Sequence, residues 1–144
     1  MHPPRTIMEV FKALPPGTLA EVIDNKLYMS PTPVGRHQRI LLKIAAQMLQ
    51  LVENNNLGEV FVAPFDVYLD ESSNAVQPDI LFISKEKTLI INEDGHVHGV
   101  PDLIVEIVSP GNKRYDTVVK KELYERFGVR EYWIVNFKRT RLCR

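Results

Sequence analysis

Residues 103–108 read "LIVEIV", five apolar side chains with one carboxylate, Glu106, among them. A short apolar run of this kind predicts a strand buried on both faces. From Gly35 to Glu53 the period changes. Leu41, Ile44, Ala45, Met48, Leu51 and Val52 recur at helical spacing, and "NNNLG" closes the helix they predict. Upstream, residues 18–33 predict a hairpin turning at Asp24-Asn25 and stopped by Pro31 and Pro33. A short helix from Glu9 to Leu14 precedes it, ended by "PPG".

Downstream of the long helix, residues 59–70 predict one or two strands around Pro64, with Asp66, Tyr68 and Asp70 alternating against Phe65, Val67 and Leu69. Residues 75–84 predict a further strand, and 85–99 a less regular connection. "SPGN", residues 109–112, offers a loop and cap before a second helix over 113–127, which Gly128 ends. Tyr115, Val119, Leu123 and Phe127 would form its core stripe. Residues 130–137 predict the last strand. This order gives an α/β or α+β fold, a central mixed β-sheet flanked by helices with an N-terminal β-hairpin.

Composition changes this picture little. At 144 residues, 44% apolar and 25% charged, the chain is expected to form a single soluble domain over 1–144, with 1–17 as an N-terminal extension. The one cysteine, Cys143, leaves neither a disulfide framework nor a thiolate metal cluster, which fits a reducing cytoplasm. No segment has the apolar length of a signal peptide or a membrane span. Charge adds more. Residues 1–110 carry 8 Lys/Arg against 14 Asp/Glu, a net of −6; residues 111–144 carry 10 against 4, a net of +6. A basic last third could face phosphates while an acidic remainder holds a metal, or both could be ordinary solvated surface.

Two acids stand out by their neighbours. Asp79 follows Pro78 and opens the apolar run Ile80 to Ile83; Glu106 interrupts a buried strand. If the two strands pair, the carboxylates sit together and repel unless a cation lies between them. A hard divalent ion such as Mg²⁺ accepts oxygen ligands of this kind. Equally, each acid could pair with its own arginine or lysine. On the second helix, Asp116, Lys120 and Tyr124 are spaced i, i+4, i+8, which would place an amine over the sheet near Glu106; Asp before Lys at that spacing is also an ordinary surface pair. His96 and His98, in "HVH", have no third ligand of zinc type nearby in the sequence and are read as loop.

Taken together, "QPDILFI", "PDLIVEIVSP" and "RYDTVVKKELYERFGVREYWIV", with "AEVIDNKLYMSPTPVGRHQRI" before them, resemble the Uma-two family of restriction-endonuclease-like proteins, part of the PD-(D/E)XK nuclease-like superfamily. The resemblance runs from about Thr18 to Asn136. It implies a restriction-endonuclease-like fold and metal-dependent endonucleolytic hydrolysis of phosphodiesters, DNA being the substrate that the family suggests, with Mg²⁺ or Mn²⁺ as cofactor. It implies Asp79 and Glu106 as catalytic and metal-binding acids, the main-chain carbonyl of Ile107 as a third ligand, and Lys120 as the catalytic amine. In the superfamily the lysine normally lies two residues beyond the second acid; here that position is Val108. Lys121 lies roughly 100° around the helix from Lys120. Glu21, His37, Asp66, Asp116 and Tyr124 are the candidates for supporting positions.

The family usually continues past the "EYWIV" strand, so one or more C-terminal strands are expected to be missing. A sheet edge near Trp133 would then be open to pairing in a homodimer. Two readings remain in view: a metal-dependent endonuclease of DNA, and an inactive member of the fold that binds nucleic acid or a protein.

Overall fold

The structure, a computed structural model, describes residues 2–108 and 115–136, and of Asp116 the backbone alone. The helix α1 (Ile7–Ala13) is capped by Thr6, whose side chain accepts the Glu9 N–H, and leads into the hairpin of β1 (Ala20–Ile23) and β2 (Lys26–Met29). Asp24 and Asn25, at φ 49° and 64°, take the left-handed positions that a two-residue turn matched to strand twist requires. Next come α2 (Gly35–Asn54), β3 (Gly58–Val62), β4 (Val67–Tyr68), β5 (Ala75–Val76) and β6 (Ile80–Ser84). A 3₁₀ turn (Lys85–Ile90), β7 (Val97–His98) and β8 (Leu103–Val108) follow. A π-helical turn (Tyr115–Lys120), α3 (Lys121–Phe127) and β9 (Glu131–Asn136) complete the described chain.

The strands form two mixed sheets where one central sheet is expected from the sequence. One has five strands in the order β2-β1-β5-β4-β7 and the other four in the order β3-β6-β8-β9. Prolines mark two of the five places where the chain changes sheet. Pro64 falls between β3 and β4, and Pro78 between β5 and β6. Each lacks the N–H that would continue a ladder. At the first the chain leaves the four-stranded sheet for the five-stranded one, and at the second it returns.

Alternation then sorts the side chains into layers. Ile23, Val67 and Val76 of one sheet meet Leu81, Ile83 and Ile104 of the other, with Leu123 and Tyr124 of α3 in the same cluster. The opposite face of the four-stranded sheet, through Ile80, Leu103, Val105 and Ile107, packs on Leu41, Ile44 and Met48 of α2. The opposite face of the five-stranded sheet, through Ala20, Val22, Tyr68 and Ala75, receives Met8 and Phe11 of α1. Gly58 starts β3 where a Cβ would lie 2.1 Å from the Ile83 carbonyl oxygen, so no other residue fits without moving the backbone.

Three local expectations change. The single strand expected over residues 75–84 divides at Pro78 into β5 and β6, which lie in different sheets. The "HVH" segment is not all loop, since Val97–His98 pairs in parallel with Val67–Tyr68. The second helix begins with a π turn, and its expected start at 113–114, like the "SPGN" loop and residues 137–144, lies outside the described residues. β9 is the outer strand of its sheet among the described residues, with Trp133 41% exposed. No described helix is long and apolar enough to cross a membrane.

Candidate active site

Antiparallel pairing of β6 with β8 sets Ile80 opposite Val105, so one step further Asp79 stands opposite Glu106. Asp79 shares its face with Leu81 and Ile83, and Glu106 shares its face with Ile104. All three apolar residues belong to the cluster between the sheets. The two acids therefore look to the same side, the side covered by α3. Backbone hydrogen bonds fix the pair reciprocally. The Asp79 N–H donates to Glu106 Oε1 at 3.2 Å, and the Ile107 N–H donates to Asp79 Oδ2 at 2.6 Å. His37, in the first turn of α2, reaches Asp79 Oδ1 with Nε2 at 3.2 Å.

From the other sheet comes Glu21. In β1 it shares a face with Ile23 and so points between the sheets, 4% exposed. Its oxygens collect three donors: Tyr115 OH at 2.8 Å on Oε1, and the Gln77 N–H at 2.7 Å and Lys120 Nζ at 2.9 Å on Oε2. Lys120 also forms an ion pair with Glu106 Oε2, which accepts the Tyr124 hydroxyl at 2.8 Å as well. The amine is thus shared by a carboxylate from each sheet, with the Tyr115 and Tyr124 rings 5.8 and 5.7 Å away.

The π turn accounts for part of this geometry. In an α-helix Tyr115 and Lys120 would lie roughly 140° apart around the axis. The i→i+5 pattern of a π turn brings residues five apart onto one side. Both then reach Glu21. Tyr115 consequently leaves the purely apolar stripe expected of it and becomes a hydrogen-bond donor of the cluster. Burial, then the Glu21 charge, pushes its hydroxyl far above the ordinary tyrosine range, and burial with the Glu106 charge does the same for Tyr124. Both remain neutral donors.

Asp79, Glu106, Glu21, His37, Tyr115 and Lys120 line one cleft of about 280 Å³. Tyr124 sits beneath it. Asp66 does not join them. It shares the parity of Tyr68, on the α1 side of the five-stranded sheet, and lines a separate cavity. The side chain of Asp116 is outside the described residues. Gln77 ties the two cavities together: its N–H binds Glu21, while Nε2 binds Asp66 Oδ1 at 2.8 Å and the Thr18 carbonyl at 3.2 Å. Sequence reasoning missed Gln77 and the polar role of Tyr115. Gln77 was legible only as the residue before Pro78-Asp79.

The donors suit a hard cation. Asp79 and Glu106 each give one oxygen to a backbone N–H, Glu106 Oε2 is shared by Lys120 and the Tyr124 hydroxyl, and the described residues that line the cleft include no thiolate. Among the described residues no group of three His, Cys, Asp or Glu side chains is arranged to hold a metal. Two carboxylates, supplemented by water and a substrate phosphate, are what Mg²⁺ ordinarily takes.

Residues 8–144 match the model of the family described as "Uma2: Putative restriction endonuclease". Among solved structures, the chain resembles a protein from Anabaena variabilis described as "a putative nuclease belonging to DUF820", with a TM-score of 0.75 and 20% identity over 92% of this chain and 74% of that one. At that identity the likeness establishes the fold. No curated protein matches the sequence.

Proposed function

The chain belongs to the Uma2 family, and from that premise we propose that it is a metal-dependent endonuclease acting on DNA, with Asp79, Glu106 and Lys120 as its catalytic residues. The observation that carries this reading is the convergence of the Lys120 amine on Glu106, across the sheet from Asp79, in one cleft.

Asp79 and Glu106 would hold Mg²⁺ or Mn²⁺. The Ile107 carbonyl is the candidate third ligand, because in an extended strand it leaves on the same side as the N–H that binds Asp79. The bound ion supplies Lewis acidity toward a phosphoryl oxygen. Lys120, held by Glu21 and Glu106, offers a fixed positive charge to the oxygens on which negative charge grows during phosphodiester hydrolysis. Glu21 acts through Lys120 and is a positioning residue; Tyr115, Tyr124 and the Gln77 N–H orient the two glutamates that hold the amine. His37 orients Asp79. Lys120 fills, from the helix, the role that Val108 leaves vacant on the strand.

A nicking assay on supercoiled DNA tests the proposal. Product should require Mg²⁺ or Mn²⁺ and fall at least 100-fold in Glu106→Gln and in Asp79→Ala. The same ions should raise the melting temperature of the wild type and leave that of Asp79→Ala unchanged. Metal-independent product, or cleavage that survives both substitutions, would remove the assignment. Binding of DNA without cleavage at any metal concentration would instead favour an inactive binding module. Association into a homodimer and residence in the cytoplasm belong to the same proposal, the first to be read from sedimentation of the purified chain.

A further inference from the structure

We infer that the second cavity, on the α1 side of the five-stranded sheet, is a pocket for one unpaired nucleobase carrying an exocyclic amine. This inference rests on the nuclease reading for its ligand, since a nucleic-acid strand in the catalytic cleft is what would deliver such a base. The cavity measures about 300 Å³, the lower end of the range for small-ligand sites. Phe11, Phe65, Tyr68 and His96 line it, with Lys12 at its wall. Two of these rings are braced by a second ring behind them. Phe61 stacks on Phe65 at 4.5 Å, and His98 stacks on Tyr68 at 4.7 Å and 14°. Aromatic walls of this kind hold a base by its π faces whatever its identity.

Polar atoms at the same place would supply selectivity. His96 Nδ1 is buried and has no hydrogen-bond partner, the one such side-chain atom among the described residues. Asp66 Oδ2 lies 3.8 Å from it, beyond hydrogen-bond length. Asp66 Oδ1 is already occupied by Gln77. A carboxylate oxygen needs a donor, and a ring nitrogen beside it needs a donor or an acceptor. Adenine, cytosine and guanine all present an exocyclic amine next to a ring nitrogen; thymine and uracil present a carbonyl in place of the amine and keep only the N3–H as a donor toward Asp66. Tyr68, 5% exposed, keeps its hydroxyl as a donor, because burial and then the Asp66 charge raise its pKa to about 12.

Position favours a role beside the catalytic cleft. Gln77 lines both cavities and links them by hydrogen bonds, with Glu21 and Lys120 on one side and Asp66 on the other. A strand lying in the catalytic cleft could therefore place a neighbouring base in this pocket, which would give the enzyme a base preference near the cut.

The test is binding of six-nucleotide single strands in EDTA, where no metal-dependent cleavage interferes. Oligo(dC) and oligo(dT) differ at the exocyclic group while both stack weakly, and oligo(dA) is run beside them. Wild type should bind dC or dA about tenfold more tightly than dT. His96→Ala and Asp66→Ala should bring that ratio near one while binding to dT is retained, which shows that the variants are folded. Equal affinity for all three strands in the wild type, or a ratio that persists in both variants, would overturn the pocket. Nicking of supercoiled DNA with Mg²⁺ is scored separately. No cleavage with the base preference intact would sink the nuclease reading alone, and cleavage with equal binding would sink only the pocket.

Discussion

Two ion pairs of similar length sit in opposite surroundings in this protein. Lys120 and Glu21, 2.9 Å apart, are almost wholly buried; Arg126 and Asp24, 2.6 Å apart, are half exposed. Both join a helix to the β1–β2 hairpin across about a hundred residues of sequence. In water the second pair gains little, because solvent screens it and two long side chains must be held still. The first has lost its water, so each charge depends on its partners, and the shortage of alternatives fixes the geometry. Distance alone does not rank the two; burial does.

The largest expected effect tests that ranking directly. Lys120→Met should destabilise the fold by about 3–5 kcal/mol in denaturant titration, because Glu21 and Glu106 are left facing each other without a cation. Adding Glu21→Gln to it should restore part of the loss. A loss below 1 kcal/mol would mean that water reaches the cluster. Tyr124→Phe should come next, at about 1–3 kcal/mol, since Glu106 Oε2 would lose a buried donor. Arg126→Ala should cost about 0.2–1 kcal/mol at low salt and nothing measurable in 1 M NaCl. A larger, salt-independent cost would place that pair in the same class as the buried one.

The smallest effect concerns His98, whose ring nitrogens contact Glu71 at 2.7 Å and Asp94 at 2.8 Å near the surface. Burial works to lower its pKa, but the hydrogen bonds to Glu71 and Asp94 outweigh it and raise the pKa above 6.5. The fold therefore prefers the protonated ring. Its contribution is complete below pH 6.5 and disappears as pH rises through the folded value. The melting-temperature gap between wild type and His98→Asn should accordingly be widest below pH 6.5 and shrink as pH rises above it. A gap that widens with pH would show that the neutral ring is the favoured form.

Much of the fold was readable because each element depends on local chemistry. The long helix follows from the spacing of Leu41, Ile44 and Met48, and the hairpin turn from the tolerance of Asp24 and Asn25 for positive φ. The division into two sheets was less accessible. Pro64 and Pro78 mark breaks in the sequence, but a break does not say which sheet the chain enters next. Among the candidate residues, Glu21, His37, Asp79, Glu106, Lys120 and Tyr124 gather in or under one cleft, and Asp66 lies on the other face of its sheet. Gln77 and Tyr115 escaped because one contributes through its backbone N–H and the other through a π turn, neither of which has a pattern that separates it from strand or helix.

The sequence alone determined which residues carry charge into apolar runs: Glu106 within "LIVEIV" and Asp79 at the head of "DILFI" had to be compensated by something, because a carboxylate stripped of water is costly. Only the tertiary structure decided what compensates them. Strand register put the two acids on one face, the packing of the five-stranded sheet on the four-stranded one brought Glu21 over them, and the π turn set Lys120 and Tyr115 side by side. Those are contacts between residues up to 99 positions apart, and distance along the chain carries no record of them.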